Sequence, residues 1–541
     1  MNIRSWALII RLLFHICAPI SSGVMLALAF PRYDQLWLVW IGLVPLLLVI
    51  VGMRPWRAFF ASGLGGVVFF VGIFQWILAF PGFTFLHQAI LGVYVGTFIG
   101  LFGLAFSFIS RKCGVPWALL TTPFLWVPLE YIRSNLSFMA LPWGCLGHSQ
   151  YGYLPVIQIA SVTGQHGVSF LIVMVNAALA SILLFLRSKL KKTNPAFGPP
   201  VSGRGTLGVA VTAAILISLT VLYGHATVTT AVGGKGVKVS LVQGNIEQAK
   251  KWDPRYSKEI MQTYADLTKK VSGDQPELII WPETATPRAI NLDLGLYSYV
   301  RRISKEAGTY LLLGSSQQQK ITKRGSKERK YLNSAFLIPP EDKAKHQKYD
   351  KIRLMPFGEY LPLKGVVPWS YFNVPDVGGY VAGEKFTIFE TPAFHFGVTI
   401  CWENLFPDLV RQFVRSGAQL IVNITNEAWF GKTDAPYQFV AMNVFRAVEN
   451  RVYVVRCANT GISCVINDQG RIINRVTDQE GRDVFVRGVL TERVIPLNHD
   501  TFYTRHGDLL VWVSIVCSAV FLLMALLRNN PALPSGAKPL R

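Results

Sequence analysis

Three segments in the second half of the sequence carry side chains suited to nucleophilic and proton-transfer chemistry. Cys401 ends an apolar run in HFGVTICWENLFPDL, and the residues after it have helical spacing. A thiol at such a strand-to-helix turn stands at a sheet edge, where main-chain N–H groups can face a developing oxyanion. A helix dipole or a neighbouring cation there also favours the reactive thiolate. The competing reading is a small buried hydrophobe, the usual fate of a free cysteine. Glu283 follows another apolar run, in ELIIWPETATP. A carboxylate placed there is partly desolvated and rigidly held, which suits proton transfer; a helix cap or a salt bridge would use the same position. Lys351 lies in YDKIRLMPFGEYLP. A lysine near an acylated thiol supports an oxyanion, although most lysines are simply solvated. Glu359 follows in the constrained turn PFGEY, where its carboxylate could pair with Lys351 and orient it.

These residues fall on alternating elements. Strand-length apolar runs occur at 237–242, 277–281, 310–314, 334–338, 396–401, 419–424 and 452–456, and several are continuous, as in buried strands. Amphipathic helical stretches lie near 255–271, 292–307, 405–416 and 437–451. The alternation predicts an α/β domain over 228–507. The basic stretch 319–330 reads as a solvated hairpin tip, and the Pro/Gly-rich stretch 193–205 as a linker.

The first 227 residues are a different material. The 541-residue chain is 51% hydrophobic and 16% charged, and of its 31 acidic residues only Asp34 and Glu130 precede position 228. Mean hydropathy is +0.35. A soluble chain carries nearer a quarter charged residues, so these values point to a bilayer. The net charge of +22 argues for anionic headgroups rather than nucleic acid, because the basic residues sit in short loops between apolar runs. Spans are expected near 12–30, 36–52, 56–80, 86–110, 116–135, 164–187, 206–226 and 508–527, about eight in all at about 20 residues each. Basic clusters at Arg4 and Arg11, Arg54 and Arg57, Arg111 and Lys112, 187–192 and 528–541 then share one face, which the positive-inside rule makes cytoplasmic. The domains are accordingly 1–227, 228–507 on the opposite side, and 508–541. Glu130 and Arg133 close the fifth span; they read either as a functional intramembrane pair or as interfacial anchors beside Tyr131, Phe138 and Trp143. No pair of the seven cysteines has CxxC spacing, so no zinc or thioredoxin-like site is indicated.

Taken in order, WPET, YDKIRLMPFGEY and TICWEN resemble the Glu–Lys–Cys signature of the nitrilase (carbon–nitrogen hydrolase) superfamily. VQGNI at 242–246, NITNEAWFG at 423–431 and RAVENRVYVVRCANTGIS at 446–463 match its supporting segments. The resemblance implies an αββα sandwich, with Cys401 as nucleophile, Glu283 as general base and acid, and Lys351 as oxyanion support. It also implies supporting or substrate-binding roles for Glu359, Trp281, Trp402, Glu403, Asn426 and Trp429. The membrane half, through PRYDQLWLVWIGLVPLL, ALPWGCLGHSQ and TFYTRHGD, resembles the apolipoprotein N-acyltransferase family. The whole chain then reads as a polytopic α-helical membrane protein carrying an inserted nitrilase-like domain.

That family's reaction implies a phospholipid acyl donor (phosphatidylethanolamine), a Cys thioester and a diacylated apolipoprotein acceptor. It needs no cofactor or metal. It implies a monomer in the bacterial inner membrane, with the catalytic domain on the periplasmic side. Two departures stand out: Glu427 where Asp is expected, and Trp402 where Tyr is expected. Trp429 and Phe430, and the loop 365–375, serve either as a lid or as ordinary packing. The competing functions are a membrane-anchored amidase hydrolysing a small amide with the same triad, and a transporter carrying a decayed enzyme domain.

Overall fold

The computed structural model describes residues 3–80, 82–190, 202–229, 233–323, 326–342, 344–372 and 379–528. The chain separates into two compact units, residues 1–230 with 508–541, and residues 231–507.

The regular elements of the first unit, among the described residues, are all helices. Among the described residues, Pro55–Ile73, Phe85–Cys113, Gln165–Lys189, Gly203–Val228 and Leu509–Leu527 are long and apolar enough to cross a membrane. The other expected spans take different forms. The stretch expected at 12–30 lies in the helix Ile3–Leu28. The stretch at 36–52 is an interrupted apolar segment, a 3-10 turn Leu36–Leu38 followed by short helices Val39–Gly42 and Val44–Ile50, rather than one continuous helix. The fifth is the helix Val115–Asn135, which holds Pro123 and Pro128. Helices Pro55–Ile73 and Phe85–Cys113 pack backbone to backbone. A Cβ on Gly66 would lie 2.8 Å from the Gly96 Cα, and one on Gly96 would lie 2.9 Å from the Val67 nitrogen. Lipid supplies no hydrophobic drive between helices, so close approach through small residues takes its place.

Glu130 and Arg133 are both buried, so neither is an exposed interfacial anchor. Glu130 Oε1 accepts from Trp126 Nε1 at 2.9 Å and from the Leu146 N–H at 2.8 Å, and Oε2 faces His166 Nδ1 at 3.5 Å. Arg133 donates to the carbonyls of Leu141 and Trp143. Together they tie the end of Val115–Asn135 to the irregular chain at 141–147. Glu130, Cys145 and His166 bring possible metal-ligand atoms within 4.8 Å of one another. The Arg133 guanidinium, however, lies 3.7 Å from the Cys145 sulfur, and that fixed cation disfavours a metal there.

The second unit contains two six-stranded sheets. The first comprises β1 (Val237–Gln243), β2 (Leu278–Ile280), β3 (Tyr310–Lys323), β4 (Ser326–Ile338), β5 (Gln347–Asp350) and β12 (Gly488–Val494), in the order β12-β1-β2-β3-β4-β5. The second comprises β6 (Ile388–Glu390), β7 (His395–Ile400), β8 (Leu420–Thr425), β9 (Tyr453–Ala458), β10 (Cys464–Ile466) and β11 (Ile472–Arg475), in the order β11-β10-β9-β8-β7-β6. The central pairings β1–β2–β3 and β7–β8–β9 are parallel. On one face of the first sheet, Val242, Ile279, Leu311 and Leu313 pack against Ile260, Tyr264, Val300 and Ile303 of helices Ser257–Ser272 and Leu294–Ala307. The two sheets meet face to face. Cys457 on β9 reaches the carbonyls of Val242 (3.5 Å) and Ile280 (3.2 Å) in the first sheet.

The hairpin expected at 319–330 is the end of a long one, because the β3–β4 ladder pairs out to Lys323 and Ser326. Residues 324 and 325 lie outside the described residues. Strands β5, β6, β10 and β11 fall outside the expected runs because they are only three or four residues long, and β12 because it is half polar (GVLTERV).

Glu427 and Arg456 form an ion pair with both side chains fully buried. Removing one charge leaves the other without its counter-ion in the core. Glu427→Gln should therefore destabilise the domain by about 3–5 kcal/mol. The check is thermal unfolding of the detergent-solubilised protein beside Glu427→Asp, which keeps the pair and should lose less.

Candidate active site

The two sheets deliver the candidate residues from their strand ends. Glu283 stands two residues past the Trp281 that extends β2. Its main chain runs beside β3, with Gly314 N–H bonded to the Pro282 carbonyl (3.2 Å) and Ala285 N–H to the Gly314 carbonyl (2.8 Å). A Cβ on Gly314 would come within 2.6 Å of the Glu283 Cα, so only glycine permits this approach. The Glu283 carboxylate is buried and saturated. Oε1 accepts from Asn333 Nδ2 at 2.7 Å, Oε2 from the Asn426 N–H at 2.8 Å, and Lys351 Nζ lies 3.8 Å from Oε1.

Lys351 follows β5, pinned by its N–H to the Asn333 carbonyl at 2.8 Å. Its ammonium is 2.9 Å from Glu359. Glu359 also accepts from Asn333 Nδ2 (2.9 Å) and the Met355 N–H (2.7 Å). Asn333 thus bridges the two carboxylates that face the lysine. Burial alone would lower the Lys351 pKa, but Glu359, Cys401, Glu283 and Glu403 outweigh it and hold the pKa raised. Lys351 is a fixed cation.

Cys401 ends β7 and opens a 3-10 turn, Cys401–Leu405, in the left-handed region at φ +56°. A non-glycine residue there is uncommon and often marks a functional turn. The α-helix expected after the thiol begins only at Pro407, too far for its dipole to act on the sulfur. Burial, then the negative charge of Glu283, push the Cys401 pKa up against the opposing pull of Lys351. The resting group is therefore a neutral thiol, not the thiolate expected from a helix N-terminus. Electrostatic coupling of Cys401 to Glu283, Lys351 and Glu359 puts all four groups in one site.

Glu403 braces the arrangement. Its carboxylate accepts from the Ile400 N–H (2.8 Å) beside Cys401, from the Ile352 (2.8 Å) and Arg353 (3.0 Å) N–H groups beside Lys351, and from the Tyr349 hydroxyl (2.9 Å). Burial raises its pKa to about 6 against those donors. Asn426 is oriented through its side chain by Gln248 and Asn459, each at 2.9 Å. Trp402 is buried, donates to the Arg353 carbonyl at 2.6 Å and packs edge-on against Phe406. It packs the turn after the nucleophile against the segment that follows Lys351.

Trp281, expected to line the site, does not. It continues the alternation of Ile279, stacks on Tyr264 with ring centroids 4.8 Å apart, and donates to Thr268 at 2.9 Å within the core beneath the outer helices. Trp429 is 46% exposed, whereas its neighbour Phe430 is buried against Phe439. In the loop 365–375, Trp369 packs edge-on against Phe357, and 373–375 lie outside the described residues. Sequence reasoning missed Asn333, Gln248, Asn459 and Lys251. Asn333 sits mid-strand on β4, and only the cross-strand register reveals that it faces two carboxylates.

Residues 238–497 match the carbon–nitrogen hydrolase family, and residues 22–178 match the apolipoprotein N-acyltransferase N-terminal domain. The chain is 35% identical over 522 residues to the apolipoprotein N-acyltransferase of Geobacter metallireducens, covering 94% of this chain and 95% of that one. It belongs to the apolipoprotein N-acyltransferase family. The relative from Chlorobaculum tepidum is 30% identical, over 95% of this chain and 96% of its own. The solved Nit3 of Saccharomyces cerevisiae, a member of branch 10 of the nitrilase superfamily, is 19% identical with a TM-score of 0.37, over 49% of this chain and 93% of its own. In this family member the two matched domains share one chain.

The electrostatics give opposite outcomes for two variants. Glu283 raises the Cys401 pKa and Lys351 lowers it. At pH 8, Glu283→Gln should make Cys401 alkylate faster with iodoacetamide than wild type while turnover collapses by roughly 10²-fold or more, the scale of a lost general base. Lys351→Met should alkylate more slowly. Intact mass against time reads both, with Cys401→Ala as the blank.

Proposed function

We propose that this enzyme moves a fatty acyl chain from a phospholipid to the α-amino group of the diacylglyceryl-cysteine of an apolipoprotein, through a thioester on Cys401. The observation that supports this most directly is the joined site of Glu283, Lys351 and Cys401, in a chain that matches apolipoprotein N-acyltransferases over nearly its whole length.

In the first half-reaction Glu283 takes the Cys401 proton as the sulfur attacks the acyl carbonyl carbon. The tetrahedral oxyanion is met by a Lys351 N–H not engaged by Glu359. Glu283 then returns the proton to the leaving alkoxide, and the lysophospholipid departs. In the second half the amine attacks the thioester, Glu283 accepts its proton, and the thiol is regenerated as the amide forms. A neutral resting thiol suits this cycle. The base, sulfur and lysine act in concert only when an acyl group is present, and a standing thiolate would invite oxidation. Glu359, Glu403 and Asn426 hold the three in place.

The donor is phosphatidylethanolamine, and the enzyme acts as a monomer. Eight helical segments serve as the crossings, with residues 1–227 and 508–541 forming the membrane part. Residues 228–507 lie on the periplasmic side, which is the consequence of five basic clusters sharing the cytoplasmic face. A site at headgroup depth meets two lipid-anchored substrates and excludes the water that would hydrolyse the thioester.

The purified protein incubated in detergent with phosphatidylethanolamine should gain the mass of one acyl group. The adduct should be removed by hydroxylamine and absent in Cys401→Ala, and a diacylated lipopeptide should discharge it as an amide. An enzyme that leaves phospholipid intact while hydrolysing small amides would instead be the membrane-anchored amidase.

A further inference from the structure

At the main chain of Glu283 stands a second buried lysine that this mechanism does not use. Lys251 ends the short helix Gln248–Lys251 and is 2% exposed. Its ammonium nitrogen donates to the main-chain carbonyl of Glu283 at 3.0 Å. Among the described residues it makes no ion pair within 4.0 Å. A buried lysine without a bonded counter-ion is costly, and such a residue is retained for what it holds. The residue it holds precedes Thr284, whose φ of +44° puts the turn after the carboxylate in a conformation the local sequence does not favour. The same segment grips the base a second time. Gln248 orients the Asn426 side chain at 2.9 Å, and the Asn426 N–H bonds the Glu283 carboxylate at 2.8 Å.

We propose that Lys251 is a positioning residue for Glu283, fixing the main chain of the general base and altering its readiness to accept a proton through its own charge. This rests on the acyl-transfer reading of the site. Burial lowers the Lys251 pKa to about 7, partly opposed by attraction to Glu283. The attraction is mutual. A protonated Lys251 holds Glu283 more firmly in its anionic form, and a neutral Lys251 leaves it a stronger acceptor of the thiol proton. Acylation of Cys401 should therefore quicken as pH rises through about 7 and Lys251 becomes neutral. The other charged or titratable groups around the base are Lys351 and Glu359 from the stretch after β5, Cys401 after β7, Glu427 after β8, and Tyr380. Lys351 and the thiol are shifted away from the neutral range. Glu403, with a pKa of about 6, is the remaining group that titrates near it, and its contribution does not depend on Lys251.

The test is the burst of p-nitrophenolate released when the full-length enzyme in detergent is acylated by p-nitrophenyl acetate, followed from pH 5.5 to 9. This ester reports acylation of Cys401 whether or not phospholipid is the natural donor. Wild type should show a rate step near pH 7. Lys251→Gln keeps a donor for the Glu283 carbonyl but cannot titrate, so the step should vanish with little further loss. Lys251→Met loses both, and its rate should fall about tenfold with the KM for donor within about twofold, while a Glu403-dependent limb near pH 6 persists. The wild-type profile is decisive even where a variant fails to fold, because no ionisation between pH 6.5 and 8 overturns the proposal. A step near pH 7 that survives in Lys251→Gln also overturns it. A wild type that gives no burst removes the acyl-transfer reading and this proposal together. A normal burst without the Lys251 effect removes only this one.

Discussion

The site depends on burying carboxylates, which is stabilising only when each oxygen finds a donor. Glu283, Glu359 and Glu403 all meet that condition, and their donors come from segments that nothing else brings together. Glu403 bonds the N–H groups of Ile352 and Arg353 after a strand of the first sheet and that of Ile400 in the second. Glu283 leaves the first sheet and takes a bond from Asn426 at the end of a strand in the second. These bonds cross the sandwich and fix where Lys351 and Cys401 end up. A slip of either sheet would orphan charges in the core, so the positions of the reacting groups are enforced by the cost of failing to pair them.

The same burial decides the state of the nucleophile. A half-buried cysteine among carboxylates stays protonated although a lysine stands nearby. The two carboxylates beside that lysine neutralise much of its field, and the helix that would have helped starts too late. The thiol must be activated by its base at the moment of attack. The placement of Glu283, down to the glycine that lets β3 approach it, therefore matters more to the rate than the resting acidity of the sulfur.

Much of this was legible in the sequence because continuous apolar runs ending in a polar residue mark buried strands and what they deliver. The runs before Glu283 and Cys401 marked both as strand-end positions, and the ordered resemblance of WPET, YDKIRLMPFGEY and TICWEN to the nitrilase signature singled them out. The Glu359–Lys351 pairing followed from a constrained turn eight residues on. Trp281 was misassigned because adjacency to Glu283 says nothing about which face a side chain takes, and strand alternation sends it into the outer core. Asn333 and Lys251 could not be read because their roles are set by pairing across strands and by a turn that folds back. In the helical unit, hydropathy located the segments but not their breaks. The stretch 36–50 is interrupted, and the polar pair Glu130 and Arg133 turns inward to bond irregular chain rather than outward to an interface.

The departure at Glu427 shows how far behind the chemistry a charge can lie and still be constrained by it. Its carboxylate pairs with Arg456 in the core of the second sheet, and its charge is felt at Glu283. Arg456 also bonds the Asn423 side-chain oxygen, and Asn423 Nδ2 donates to the Cys401 carbonyl at 3.2 Å. A chain of polar contacts thus runs from Glu427 through Arg456 and Asn423 to the backbone of the strained nucleophile turn. Arginine is a long donor with several N–H groups in a plane, so it can accept a carboxylate one methylene further out without giving up its bond to Asn423. The longer acid still pairs with Arg456, and the contacts that run from that pair to the nucleophile turn are all made.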